Sequence, residues 1–389
     1  MVVGAALGIP LSAALPAAAQ AALAIHPTRT DDPSSGGMTC SFLPANNTDC
    51  SLRNALALAG DGTIVSLAPP APGGPYTVQS TPLTISHNIT LAGVGARTTK
   101  IEQTGAAGVL EIGSGVTGAT VEDLTVTGGH SQDGGGILNL GGLTLRDSAV
   151  TGNVAAAGPS PGAGGGIYST TTLTVIGSAV TGNQAAGNIL TLQSGLGGGI
   201  FIGGTTTIVN STISGNAAGP TPSVGTGDGG GIYMGGGSPT LSLSNVTLAS
   251  NTAIGSAGNL YLFSGAASAK DTIIGLGTAS DSGTQNCNGA VVSSLGYNLE
   301  DRNQCGLAGT GDQTNTDPLL GALQNNGGPT DTQGLSLDSP AVDHGNPAGC
   351  TDASNALLSV DQRRLTRPQG LACDVGAYEL QPLAPAASG

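Results

Sequence analysis

The chain has 389 residues, of which 67 are glycine; only 9% are charged and 2% aromatic, and the net charge is −14. An ordinary globular domain carries about 25% charge and about 7% Gly, so a helical bundle or doubly wound α/β fold is excluded for want of helix-surface Leu, Glu and Lys, while 38% apolar residues are too many for a solvated coil. What is left is an all-β protein of small residues and many turns, and its two lysines, Lys100 and Lys270, cannot supply the cation cluster that a nucleic-acid duplex demands.

Met1 to Ala24 carries no charge and ends in small residues, the pattern of the hydrophobic part of a secretory signal, with cleavage after Ala19 or Ala24. Pro10 and Pro16 interrupt the run and count against a membrane span. Residues 25–60 form an N-terminal cap. Within it Cys50 to Gly60 reads CSLRNALALAG, in which Ser51 caps a short helix and Gly60 stops it, its apolar face covering the open end of the first coil. Residues 61–300 form the main body, opening with the strand-like pieces TIVSL, YTVQS, LTIS, ITLAGV and TKIEQ.

The body is repetitive. Gly-Gly-Gly-Ile begins at Gly134, Gly164, Gly197 and Gly229, at steps of 30, 33 and 32 residues. Between these stand LTLRDSAVTGN, LTVIGSAVTGN, TTIVNSTISGN and LSLSNVTLASN, with an earlier copy, ATVEDLTVTGG, from Ala119. Apolar positions alternate within each block, the period of a strand with one buried face. One unit cannot bury that face alone; stacked units can. The expected fold is a single-stranded right-handed parallel β-helix of the pectin-lyase-like kind, in coils of three strands about 4.8 Å apart, and monomeric. Stacking predicts three rows: Asn153, Asn183, Asn216 and Asn251 at a turn; Thr120, Thr144, Thr174, Thr207 and Ser242 facing outward; and Leu138, Tyr168, Phe201, Tyr233 and Tyr261, each one residue past an inward Ile or Leu.

Residues 301–380 read as the end and cap of the coil, and 381–389 as a Pro/Ala-rich linker or tail. Six cysteines fall into three local pairs, Cys40 with Cys50, Cys287 with Cys305 and Cys350 with Cys373, read as disulfides of an oxidising exterior.

These motifs resemble those of bacterial surface-exposed β-helix proteins with GGGI repeats like those of polymorphic outer membrane proteins. CSLRNAL from Cys50 is similar to the CSLREA motif that opens many of them. DPLLGALQNNGGPT from Asp317, SPAVDHGN from Ser339, DQRR from Asp361, Arg367-Pro368 and CDVGAYE from Cys373 resemble the choice-of-anchor Q region. Asn54 replaces the motif's glutamate and Arg364 stands where glycine is usual. The resemblance implies export and a β-helix, and fixes no activity.

Chemistry is sparse. Glycoside hydrolysis needs two carboxyl groups about 5 to 9.5 Å apart, and the repeat offers Asp123 and Asp147 on adjacent coils. Their column continues as Gly177, Asn210 and Asn245, the composition of a turn. Asp133 and Asp228 face one corner but lie three coils apart. Glu122 and Arg146 form an exposed pair. The four histidines lack metal spacing, so no cofactor is expected. Calcium on Asp312, Asn315 and Asp317 is the one metal alternative, since oxygen ligands at alternating spacing suit it. The charged residues Asp343, Asp361, Arg363, Arg364, Arg367, Asp374 and Glu379 predict a buried ion-pair network closing the last coil.

An exposed ladder of Tyr168, Phe201, Tyr233 and Tyr261 offers rings on which sugars stack. The insertions Ala155 to Ala163, Gln184 to Leu196 and Ala217 to Asp228 enlarge the corner beside it, a mark of a solenoid's working surface. The reading is a secreted or cell-surface, non-catalytic adhesion protein with an extracellular polysaccharide or cell-surface glycan as ligand. The alternative is a polysaccharide hydrolase or lyase using Asp123 and Asp147 or acids contributed by the enlarged corner. A third, an ice- or mineral-binding face on the Thr120 to Ser242 row, conflicts with the irregular coil lengths.

Overall fold

A computed structural model describes residues 23–32, 39–42, 49–68, 74–156, 162–187, 194–219 and 227–381. Residues 1–22 and 382–389, on which the expected signal and most of the expected tail fall, and the middles of the three corner insertions lie outside the described residues.

The coil at the centre of the repeat shows the plan. Strand β1 (Ile137–Asn139) is followed by β2 (Leu143–Arg146), β3 (Ala149–Thr151) and a two-residue β4 (Val154–Ala155). Each pairs in parallel with its counterparts one coil before and one coil after. Repetition builds an eight-stranded sheet through β1, a ten-stranded sheet through β2, a nine-stranded sheet through β3 and a six-stranded sheet through β4. The chain is therefore a parallel β-helix, and crossovers between parallel strands take the right-handed sense. The fourth sheet is an addition to the expected three; its short strands line the enlarged corner.

Inside, the apolar residues stack as the repeat demands. Ile137, Ile167, Ile200 and Ile232 occupy one register, all fully buried. The GGGI sequence has a packing reason. Its first glycine takes φ near +60° at Gly134, Gly164, Gly197 and Gly229, a region that side chains disfavour. Its third stands against the asparagine row: a Cβ on Gly136 would meet Asn153 Nδ2 at 2.8 Å.

That row runs through the interior. Its asparagines are buried, and the residue before each carries the positive φ (Gly152, Gly182, Gly215 and Ser250). Asn153 Nδ2 donates to Asn183 Oδ1, Asn183 to Asn216 and Asn216 to Asn251, at 3.0, 3.0 and 2.9 Å. The ladder continues past the recognised repeats through Asn259 and Asn286 to Asp301 Oδ1. Each amide donates in the same direction, so the members polarise one another, and the chain of donors ends on a carboxylate.

At the N-terminal end, helix α1 (Leu52–Leu58) begins at Ser51, whose hydroxyl accepts from Asn54 N–H, and buries Leu52, Ala55 and Leu56. It stops at Ala59, one residue before Gly60. Ala24–Ile25 pairs with Ile64–Val65 in the ten-stranded sheet, and Leu23 C=O accepts from Ile64 N–H. Cleavage after Ala24 would remove that acceptor. All three disulfides form as the local pairing predicts, with Cα separations of 4.8, 5.0 and 5.6 Å.

The C-terminal region departs from expectation. Instead of only closing the last coil, it turns back and runs along the flank of the solenoid as a strap, beginning with an antiparallel hairpin of β5 (Leu320–Gln324) and β6 (Thr332–Leu335). Leu335, Ala341 and Val375 pack with Ile273 and Leu299 on the outer face of the nine-stranded sheet. The predicted ion-pair network exists and is buried, but it belongs to this strap: Arg363 meets Asp361 at 2.7 Å and Arg367 meets Glu379 at 3.2 Å. Repeating coils leave a repeating row of polar turn groups on the flank, and the strap's charges pair there.

Candidate functional site

The turn between the ten- and nine-stranded sheets carries a column of left-handed residues: Asp123, Asp147, Gly177, Asn210, Asn245 and Asp271, with φ between 45° and 59°. The strap binds it coil by coil. Arg364 Nη2 lies 3.0 Å from Asp123 Oδ1 and 2.8 Å from Asp147 Oδ2. Thr330 Oγ1 donates to Gly177 C=O. Asn210 donates to Val360 C=O and accepts from Arg367. Asn245 donates to Thr351 C=O, and Asp271 accepts from Asn346 N–H. Asp123 and Asp147 are thus brought together as expected, yet they share one guanidinium supplied by a segment far away in sequence. The two carboxylates lift the Arg364 pKa above its ordinary value, Asp147 through the stronger hydrogen bond.

The aromatic row forms on the outer face of the eight-stranded sheet, in the register Glu111, Leu138, Tyr168, Phe201, Tyr233, Tyr261, Asn288. Ring centroids are 4.7, 5.6 and 5.2 Å apart from Tyr168 to Tyr261, with planes within 14° of parallel. These rings cover one another's faces; Phe201 is 9% and Tyr233 8% exposed. No sugar ring fits between them, so only their edges and the end of the stack are open. At that end Phe263, two residues after Tyr261, is 68% exposed, and its ring centroid lies 6.3 Å from that of Tyr233. Phe263 falls outside the repeating aromatic register, so spacing alone does not reveal it.

The corner beside the ladder holds Asp133, Ala163, Leu196 and Asp228 on successive coils. Burial raises the pKa of both acids. Burial also pushes the Tyr233 hydroxyl up to about 12, with smaller pushes from Tyr261 and Asp228. The intervening coils keep the acids apart, as expected. The insertions that enlarge this corner lie largely outside the described residues.

The Thr120 to Ser242 row is in register on the ten-stranded sheet and extends to Thr90, Ser268 and Ser293. Glu122 and Arg146 form the exposed pair at 4.0 Å. The calcium trio spends its carboxylates on the backbone: Asp312 accepts from Asn298 and Gly309 N–H, and Asp317 from Leu319 N–H. Among the described residues no group of three or more His, Cys, Asp or Glu side chains could hold a metal ion, and no helix is long and apolar enough to cross a membrane.

A further opening was not foreseen. The strap covers the nine-stranded sheet from Thr212 onward, where Thr212 donates to Gln362 and Thr247 accepts from Ala377 N–H. Over the earlier coils of that sheet the strap leaves a groove, which the hairpin tip overhangs; Thr127, Ala149 and Thr151 are partly exposed there, and Thr125, Ala179 and Thr181 are buried. The resulting groove of about 310 Å³ is lined by Arg97, Lys100, Thr127, Thr151, Thr181 and Asp331, among others.

Compared with solved structures, the chain is similar to pectate lyase Pel9A, whose crystal structure aligns over 86% of this chain and 93% of that one at 14% identity and a TM-score of 0.41, a likeness of fold alone. No family model matches the chain, and no curated protein matches it in sequence.

Proposed function

We propose that this protein is an extracellular, non-catalytic binding protein whose ligand is a polysaccharide. The observation that carries this reading is the open end of the aromatic ladder, where Phe263 stands 68% exposed beside Tyr261 and the stacked Tyr233. A large exposed ring is costly to hydrate and marks a contact surface when it sits beside others. Stacking among Tyr168, Phe201 and Tyr233 holds the end ring in place, so the four ladder residues act as a unit: three support, and Tyr261 with Phe263 touches the glycan. Three disulfides agree with an oxidising exterior.

The state of Asp123 and Asp147 supports binding without turnover at that pair. A glycosidase needs one carboxyl group to give a proton and another to act as base or nucleophile. Asp123 and Asp147 are instead both tied to Arg364. The test is retention of the purified chain on immobilised neutral and acidic polysaccharides, with chromatography of the same incubations. Retention lost in Phe263→Ala, with glycan length unchanged, supports the reading; release of shortened or unsaturated sugars that Asp123→Asn abolishes would overturn it in favour of an enzyme.

A further inference from the structure

We infer that the groove under the strap tip is a second site, selective for anionic glycan, in which Asp331 is a built-in competitor for the ligand's acid group. The inference rests on the polysaccharide reading for its ligand class, and on separate residues for its chemistry.

The groove floor is the early part of the nine-stranded sheet, where Lys100 is exposed and Thr127, Ala149 and Thr151 are partly so. One outward row runs Lys100, Thr125, Ala149, Ala179, and its neighbour continues Thr127, Thr151, Thr181. Glu102 heads that second row but is not among the groove's lining residues. Three coil-to-coil steps span about 14 Å, room for a short oligosaccharide lying along the axis. Methyl groups and Ala149 give an apolar strip, and the partly exposed hydroxyls of Thr127 and Thr151 can donate to or accept from sugar hydroxyls, while Thr125 donates to Ala96 C=O. Such a mixture suits a saccharide.

Charge selects the kind of saccharide. The chain has ten basic residues and a net charge of −14, yet two of its cations line this one groove. Lys100 is exposed and has no ion-pair or hydrogen-bond partner among the described residues. Arg97 does have partners: its Nη1 holds Asp331 at 2.7 Å and its Nε donates to Gly328 C=O, both on the strap tip. An anion entering the groove meets Lys100 at once and can take Arg97 from Asp331. The tip stays in place meanwhile, because Thr330 is fixed to Gly177 C=O and Gln362 donates to Thr330 Oγ1 and Asp331 C=O. The Asp331 carboxylate therefore sets how strongly the site prefers anions and is not needed to hold the strap.

The test is calorimetric titration of the full chain with three hexasaccharides of equal length: a uronate, a sulfated one and a neutral one. We expect an anionic probe to bind more tightly than the neutral one, and which anion wins distinguishes carboxylate from sulfate. Lys100→Ala should weaken it about tenfold or more, a charged hydrogen bond lost, with Lys100→Arg restoring most of the affinity. Asp331→Asn should tighten it severalfold, and thermal melts of each variant check that the fold is intact. The inference is overturned if the neutral probe binds as well as the anionic ones, or if Lys100→Ala and Asp331→Asn both leave affinity within twofold of the parent. Neutral binding that depends on Phe263 but ignores Lys100 sinks this site and leaves the ladder standing. Absence of binding to all three sinks both.

Discussion

Arg364 reaches Asp123 across 241 residues of chain at 3.0 Å, and the same guanidinium holds Asp147 at 2.8 Å. The pair of acids that the repeat brings together is therefore a docking point for the C-terminal strap. Arg364 is 53% exposed, so its contribution is small. Arg364→Ala should lower stability by less than about 1 kcal/mol and lose even that at high salt. Denaturant unfolding at two salt concentrations checks this. Hydrogen exchange should quicken near the strap and stay slow in the coils.

The strap also carries a pH dependence. Burial raises the Asp271 carboxyl to about 6, against backbone hydrogen bonding from Asn346, and burial with the nearby Glu379 charge raises Asp374 to about 6. An acid whose folded pKa exceeds its ordinary 3.8 holds its proton more tightly when folded. Its stabilising share is full below about pH 4 and is lost as pH rises through 6. The chain should melt at a higher temperature at pH 5 than at pH 7.5, where each acid costs up to about 3 kcal/mol. Asp271→Asn should raise the pH 7.5 melting temperature and flatten the profile, since asparagine already fills this column at Asn210 and Asn245.

The inner ladder satisfies buried amides from coil to coil. Asn183 accepts from both the backbone and side chain of Asn153 and donates to Asn216 Oδ1 and Val150 C=O. Asn183→Ala strands several buried groups at once and should cost about 3 kcal/mol. Chemical denaturation measures it. A loss under about 1 kcal/mol would mean that water replaces the amide.

The aromatic ladder separates support from contact. Phe201→Ala removes a ring stacked on both sides and should destabilise by about 2 kcal/mol. Phe263→Ala should change stability by no more than about 0.5 kcal/mol while weakening glycan retention. Melting curves and affinity gels on the two variants tell the roles apart.

Much of this fold was legible in the sequence, because a solenoid writes its geometry as a period. The Ile137 column, the Thr120 row and the Tyr168 row all followed from spacing alone. The asparagine row was found at its turn, and only its burial inside the coil was not visible. The residue before each asparagine carries the positive φ (Gly152, Gly182, Gly215 and Ser250), and the amides point inward where the third glycine of GGGI leaves room. Asn259 and Asn286 were missed because the later coils abandon that motif. The strap was illegible for a physical reason. It has no repeat of its own, and its hydrogen bonds to the turn column join positions 75 to 241 residues apart, from Asp271 with Asn346 to Asp123 with Arg364. Hence Arg97 and Lys100 were not seen as one groove, and the charged network was assigned to the end of the coil instead of its flank.

Binding of a saccharide chain without cleavage is the claim on which the functional account stands. Its most direct test is titration of the full chain with size-defined oligosaccharides, followed by mass analysis of the recovered sugars. The account predicts saturable binding and recovery of every oligosaccharide at its original mass. New, smaller species accumulating with time in the presence of the folded chain would contradict it.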